Sequence, residues 1–156
     1  MIAYLGIGSN INALENIEKA KRLLQERLDN VRFSRVFESE AVGFEGDKFL
    51  NLVAEAEVGD SLEFIIDSLK QFEDELGRVR GGAKFSSRHI DIDILLFGDL
   101  VCDKPIVLPR EEIKQNAYVL WPLAELAPDL IAPGNDLTYL QLWQKFDKKS
   151  QQLKPI

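Results

Sequence analysis

The chain has 156 residues, of which 46% are hydrophobic and 29% charged, a balance that excludes a disordered or fibrous chain and fits one domain over 1–156. Its 26 acidic residues against 19 basic ones leave a formal net charge of −7, which disfavours broad non-specific binding to nucleic acid. The lone cysteine, Cys102, can make no internal disulfide, no apolar run approaches the ~18 residues of a membrane span, and the N-terminus carries no basic leader, so a cytoplasmic monomer without membrane contact is expected.

Residues 2–8 are a short apolar run ending in glycines and predict a buried strand, with Gly8-Ser9-Asn10 as a turn. Leu14, Ile17, Ala20, Leu24 and Leu28 recur at helical spacing and predict an amphipathic helix over roughly 14–29. Residues 31–40 put Val31, Phe33 and Arg35 on one face and Arg32, Ser34 and Val36 on the other, an irregular strand. Two glycines make 41–48 a loop, and 49–58 predicts a further strand. Asp60 or Ser61 caps a second helix, with Glu63 as a capping-box partner of Asp60. Leu62, Ile65, Leu69, Phe72 and Leu76 form its apolar stripe, and Gly77 ends it. A basic loop over 78–89 leads into 90–98, the clearest strand of the chain. The order is β-α-β-β-α-β, an α+β plan of ferredoxin-like type. The last third, 99–156, has Pro105, Pro109, Pro122, Pro128 and Pro133 and short helices near 111–126 and 137–146, and is expected as an irregular extension packed on the core.

Three groups of residues could carry chemistry. In a strand, Asp91 and Asp93 share one face while Ile90, Ile92, Ile94 and Leu96 take the other. Two like charges about 6–7 Å apart repel each other, and a divalent cation would convert that repulsion into binding. A solvent-facing polar side of an edge strand fits the same pattern. Arg78, Arg80, Lys84 and Arg88 lie just before this pair. Cations for phosphate beside anions for Mg²⁺ suit a nucleoside triphosphate, although a solvated loop explains the cations as well. Phe44, Phe49, Asn51, Phe85, Tyr118 and Trp121 could sandwich a flat heterocycle and read its edge, or could be core. Gly6 to Asn10 lacks the third glycine of a dinucleotide turn, no phosphate-loop motif is present, and one histidine, His89, is too few for a His-rich zinc site.

Gly8-Ser9-Asn10, Phe49-Leu50-Asn51, Gly77-Arg78-Val79-Arg80, the run from Arg88 to Gly98 and Leu120-Trp121-Pro122-Leu123 together resemble the 6-hydroxymethyl-7,8-dihydropterin pyrophosphokinases of folate biosynthesis. The resemblance spans nearly the whole chain. It implies the ferredoxin-like core, and transfer of pyrophosphate from ATP to the hydroxymethyl group of a reduced pterin, with AMP released. It implies two Mg²⁺ ions on Asp91 and Asp93, phosphate contacts from Arg78, Arg80 and Arg88, and ATP contacts at Lys84, Ile94, Arg110 and Lys114. It places the pterin against Val42, Gly43, Phe49, Asn51, Phe85 and Tyr118. The glycines of loops 41–48 and 80–88 and the need to exclude water predict that both close over the substrates. The chain departs from the family pattern at Lys84 to Ser87, where Arg-Trp-Gly-Pro is usual, at Arg110 for a usual His and at Asn116 for a usual Arg. A paralogue using another reduced pterin, or a binding relative with weakened catalysis, is the alternative. An RNA-recognition module shares the element order, but aspartates stand where its strands need aromatics.

Overall fold

The computed structural model describes residues 1–39, 48–77 and 90–156. Strand β1 (Ile2–Ser9) leads to helix α1 (Ala13–Arg27), then to β2 (Asp29–Phe33), β3 (Phe37–Ser39) and β4 (Phe49–Glu57). Helix α2 (Leu62–Glu75) and strand β5 (Asp91–Phe97) complete the core. The sheet runs β5-β1-β4-β3, with β2 also on β4, and the pairings among the described residues are antiparallel. This is the expected ferredoxin-like plan. Beyond the core come α3 (Glu112–Gln115), α4 (Ala117–Leu126), α5 (Tyr139–Lys145) and β6 (Leu153–Pro155), the last adding an outer strand to β3.

The sheet buries both faces, and the period-two alternation of each strand decides which residue serves which face. Ala3, Leu5 and Ile7 of β1 join Leu52 and Ala54 of β4 and Ile92 and Ile94 of β5. They pack against Ile17, Ala20 and Leu24 of α1 and Ile65, Leu69 and Phe72 of α2. Tyr4, Val53, Leu95 and Leu96 face the other way, against Ile113, Val119, Leu120, Leu123 and Tyr139 of the C-terminal segment. The extension thus builds its core on the sheet, as expected.

Five local readings change. Gly8 and Ser9 extend β1, paired with Asn51 and Leu50, instead of forming a turn. Ser61, not Asp60, caps α2, its hydroxyl accepting from the Phe64 amide at 3.2 Å, so no capping box with Glu63 forms. Gly77 follows the helix at φ 88°, the left-handed turn that favours glycine. The strand over 31–40 divides into β2 and β3, because the Ser34 hydroxyl and amide bond the Val53 backbone and break the alternation. The helix over 111–126 divides at Asn116, whose backbone is extended at φ −123°. Leu96 lies on the opposite face from Ile92 and Ile94, because β5 carries an extra residue: Leu5 pairs with Ile94 and Tyr4 with Leu96.

Trp121 serves packing. Its ring lies 4.7 Å from Phe37 and stacks at 5.0 Å on Trp143, which in turn stacks on Phe146 at 5.6 Å. Arg35 fastens the same region, its Nη2 and Nε donating to Glu125 Oε2 at 2.7 and 2.9 Å and its Nε also to Oε1 at 3.0 Å. Leu24→Ala, at a fully buried position of α1, should cost about 2–5 kcal/mol in urea unfolding. A loss below about 1 kcal/mol would mean that α1 does not carry that face of the sheet.

Candidate active site

On the face turned away from α1 and α2, the second apolar cluster occupies one end of the sheet. Beyond it the central strands present glycine and polar residues. Gly8 of β1 stands between Asp91 of β5 and Asn51 of β4 in register, and Asn51 stands opposite Phe37 of β3. One strand step away, Gly6 lies between Asp93 and Val53. Asp91 and Asn51 are therefore two strand spacings apart, about 9.5 Å. Between them lies a strand without side chains on that face at either position.

The two aspartates share this face, as the alternation predicts. Asp91 is half-buried and Asp93 reaches solvent. Protein nevertheless surrounds Asp93 at longer range, and its carboxyl is pushed up to about 6, first by desolvation and then by the charge of Asp91. Arg110 pulls in the opposite direction, while Glu73 and Glu112 add to the rise.

Strand β5 is the edge of the sheet, so its outward N–H groups need partners from elsewhere. The Ile92 amide, between the two aspartates, donates to Glu73 Oε2 at 2.8 Å. Glu73 is only 4% exposed. It is absent from the candidates named from sequence, although it continues the Ile65–Leu69 spacing of the buried stripe, where a carboxylate is out of place without a partner. At the extra residue of β5, Arg110 takes two carbonyls: its amide donates to Leu95 O at 3.0 Å and its Nε to Ile94 O at 3.2 Å. This sets the Arg110 guanidinium beside Asp93. Ile94 itself has its side chain in the core, so only its backbone could meet a ligand. Lys114 is exposed on α3.

Asn51 is 7% exposed and donates from Nδ2 to Ser39 Oγ at 3.0 Å, another residue that the sequence analysis missed. Alternation places Phe49 on the same face. Tyr118 is half-buried, and its hydroxyl accepts from Asn116 Nδ2 at 3.0 Å. Burial, then the charges of Glu112 and Asp93, raise its pKa, which places the phenol in the field of the acidic pair. Val42, Gly43, Arg78, Arg80, Lys84, Phe85 and Arg88, and the expected closing of 41–48 and 80–88 apart from Lys48, lie outside the described residues.

Among the described residues no group of three or more His, Cys, Asp or Glu gathers as a metal cage. Two solvent-reaching carboxylates that repel each other are still the donor set that a hard divalent cation takes when water and phosphate complete its shell. A raised carboxyl pKa means that the folded chain carries the full charge penalty above about 6 and sheds it as pH falls toward the ordinary value of 3.8. Asp93→Asn should therefore be more stable than the parent near neutral pH without divalent cation, by about 1 kcal/mol once solvent screening is discounted. The advantage should vanish near the ordinary carboxylate pKa, and Mg²⁺ should raise the melting temperature of the parent only. A parent more stable than the variant at neutral pH without cation would contradict this.

A family model described as 7,8-dihydro-6-hydroxymethylpterin-pyrophosphokinase (HPPK) matches residues 4–128. A 2-amino-4-hydroxy-6-hydroxymethyldihydropteridine pyrophosphokinase of Aquifex aeolicus is 36% identical, over 83% of this chain and 82% of its own. The protein of that name from Haemophilus influenzae is 29% identical over 98% of both. Wild-type Plasmodium falciparum HPPK-DHPS shares the fold with a TM-score of 0.71 at 16% identity, covering 92% of this chain. The chain spans 43% of that longer protein.

Proposed function

The chain belongs to the HPPK family, and on that premise we propose that it transfers pyrophosphate from ATP to 6-hydroxymethyl-7,8-dihydropterin. The pterin hydroxyl oxygen attacks the β-phosphorus and gives up its proton to water, the bond from that phosphorus to the α–β bridging oxygen breaks, and AMP leaves as the pterin diphosphate forms. The observation that carries the reading is the row Asp91–Gly8–Asn51. A bicyclic ring with a one-carbon arm, laid across the bare strand with its amide edge at Asn51, brings its hydroxyl toward the aspartates.

Each residue then has a task. Asn51, held by Ser39, offers a donor and an acceptor to the heterocycle. Tyr118, held by Asn116, forms one aromatic wall. Asp91 and Asp93 would hold two Mg²⁺ ions, which when bound neutralise phosphate charge and polarise the phosphoryl oxygens. By family resemblance Arg78, Arg80, Arg88, Lys84 and Lys114 contact ATP, Ile94 through its backbone. Phe85 forms the second wall, with Phe49 and the backbone of Val42 and Gly43 completing the pterin pocket. We take 1–156 to act as one monomeric unit in the cytoplasm. Among the described residues no helix is long and apolar enough to cross a membrane.

Arg110 stands in for a phosphate ligand. Its Nε is spent on Ile94 O, and its terminal nitrogens remain for a charge-assisted contact beside the acidic pair. Asn116, where the family usually has Arg, is committed to Tyr118 instead. The deciding experiment supplies ATP, Mg²⁺ and the hydroxymethyl-dihydropterin and identifies the nucleotide product. AMP with pterin diphosphate is expected, and Asp91→Asn should lower turnover by roughly a hundredfold or more. ADP would indicate an ordinary kinase, and pterin binding without turnover a non-catalytic relative. Arg110→Ala should weaken binding of an ATP analogue by roughly ten- to a hundredfold and leave pterin affinity alone. Unchanged nucleotide affinity would remove Arg110 from the phosphate site.

A further inference from the structure

Gly8 has no backbone need to be glycine: unlike Gly77, Gly98 and Gly134, it does not have a positive φ. A glycine inside a strand weakens it, and often marks a close approach. A Cβ on Gly8 would stand 2.9 Å from Asn51 Oδ1, with Leu50 O at 3.9 Å and Asn51 Cγ at 4.0 Å. Gly6 differs. Its Cβ would meet only the side chain of Leu95, at 3.3–3.5 Å, and the ends of that side chain can turn aside. Asn51 cannot yield so cheaply. Its amide is anchored to Ser39 Oγ at 3.0 Å and the residue is nearly buried, so moving Oδ1 away from Gly8 turns the whole amide plane and strains that bond.

We infer that Gly8 is a positioning residue: by carrying no side chain it keeps the Asn51 amide in the orientation that reads the heterocycle, and so sets pterin affinity without touching phosphate chemistry. This rests on the reading that Asn51 meets the pterin.

The test is a double-mutant cycle of Gly8→Ala and Asn51→Ala. Its readouts are affinity for hydroxymethyl-dihydropterin without nucleotide and, separately, affinity for an ATP analogue. Gly8→Ala should weaken pterin binding about tenfold and leave the nucleotide unchanged. In the Asn51→Ala background it should add less than about twofold, because the group it displaces is gone. A weakened Asn51→Ala beside a wild-type Gly8→Ala overturns the inference alone, as do fully additive losses. Wild-type pterin affinity in Asn51→Ala overturns the reading beneath it. If Gly8→Ala is too unstable to titrate, the double variant should regain the melting temperature of Asn51→Ala, since the opposing atom has been removed. No recovery would overturn the steric argument.

Discussion

The hydrogen bond from the Ile92 amide to the buried Glu73 carboxylate is the contact on which the acidic strand depends. Strand β5 has β1 on one side only, and it carries two carboxylates that repel each other across one intervening residue. Nothing in the pair itself favours an ordered strand. Glu73 bonds the amide between them from outside, and the Arg110 amide and Nε bond the next two carbonyls. Among the described residues the edge is covered by side-chain and loop contacts in place of another strand, and none of these lies over the acidic face. A buried carboxylate in a helix stripe is costly without partners, so its place opposite a strand edge gives that cost a structural return.

The extra residue in β5 divides the strand by task. Before it, Ile92 and Ile94 fill the core under α1 and α2 while Asp91 and Asp93 take the other face. From it onward, Leu95 and Leu96 pack with Tyr4 and Val53 against the C-terminal helices. One inserted residue thus lets a single seven-residue strand serve two cores and a polar site. The two glycines of β1 do the complementary work, keeping the floor between the aspartates and Asn51 clear.

Much of this was legible in the sequence, and for physical reasons. The alternation from Ile90 to Ile94 is a property of the pleat, so the shared face of Asp91 and Asp93 follows directly. The stripes of α1 and α2 follow from the helical period in the same way. What escaped depends on tertiary partners. The division at Ser34 requires Val53 from another strand, and the extra residue at Leu95 requires the register with β1. Glu73, Ser39 and Asn116 gain meaning only through Ile92, Asn51 and Tyr118. Trp121 illustrates the reverse case. An aromatic that could have walled a ligand is occupied by Phe37 and Trp143.

That stack has an optical consequence. The chain has two tryptophans, and they lie against each other at 5.0 Å, nearly parallel, between α4 and α5. Their emission and near-ultraviolet dichroism therefore report one locality, the seam where the C-terminal helices meet the sheet. Loosening of that seam changes the signal at once, whereas fraying of α1 or α2 on the opposite face leaves it dark. A melting curve followed at tryptophan wavelengths measures the integrity of one side of this sheet, and agreement with a backbone probe is what would establish that both sides unfold together.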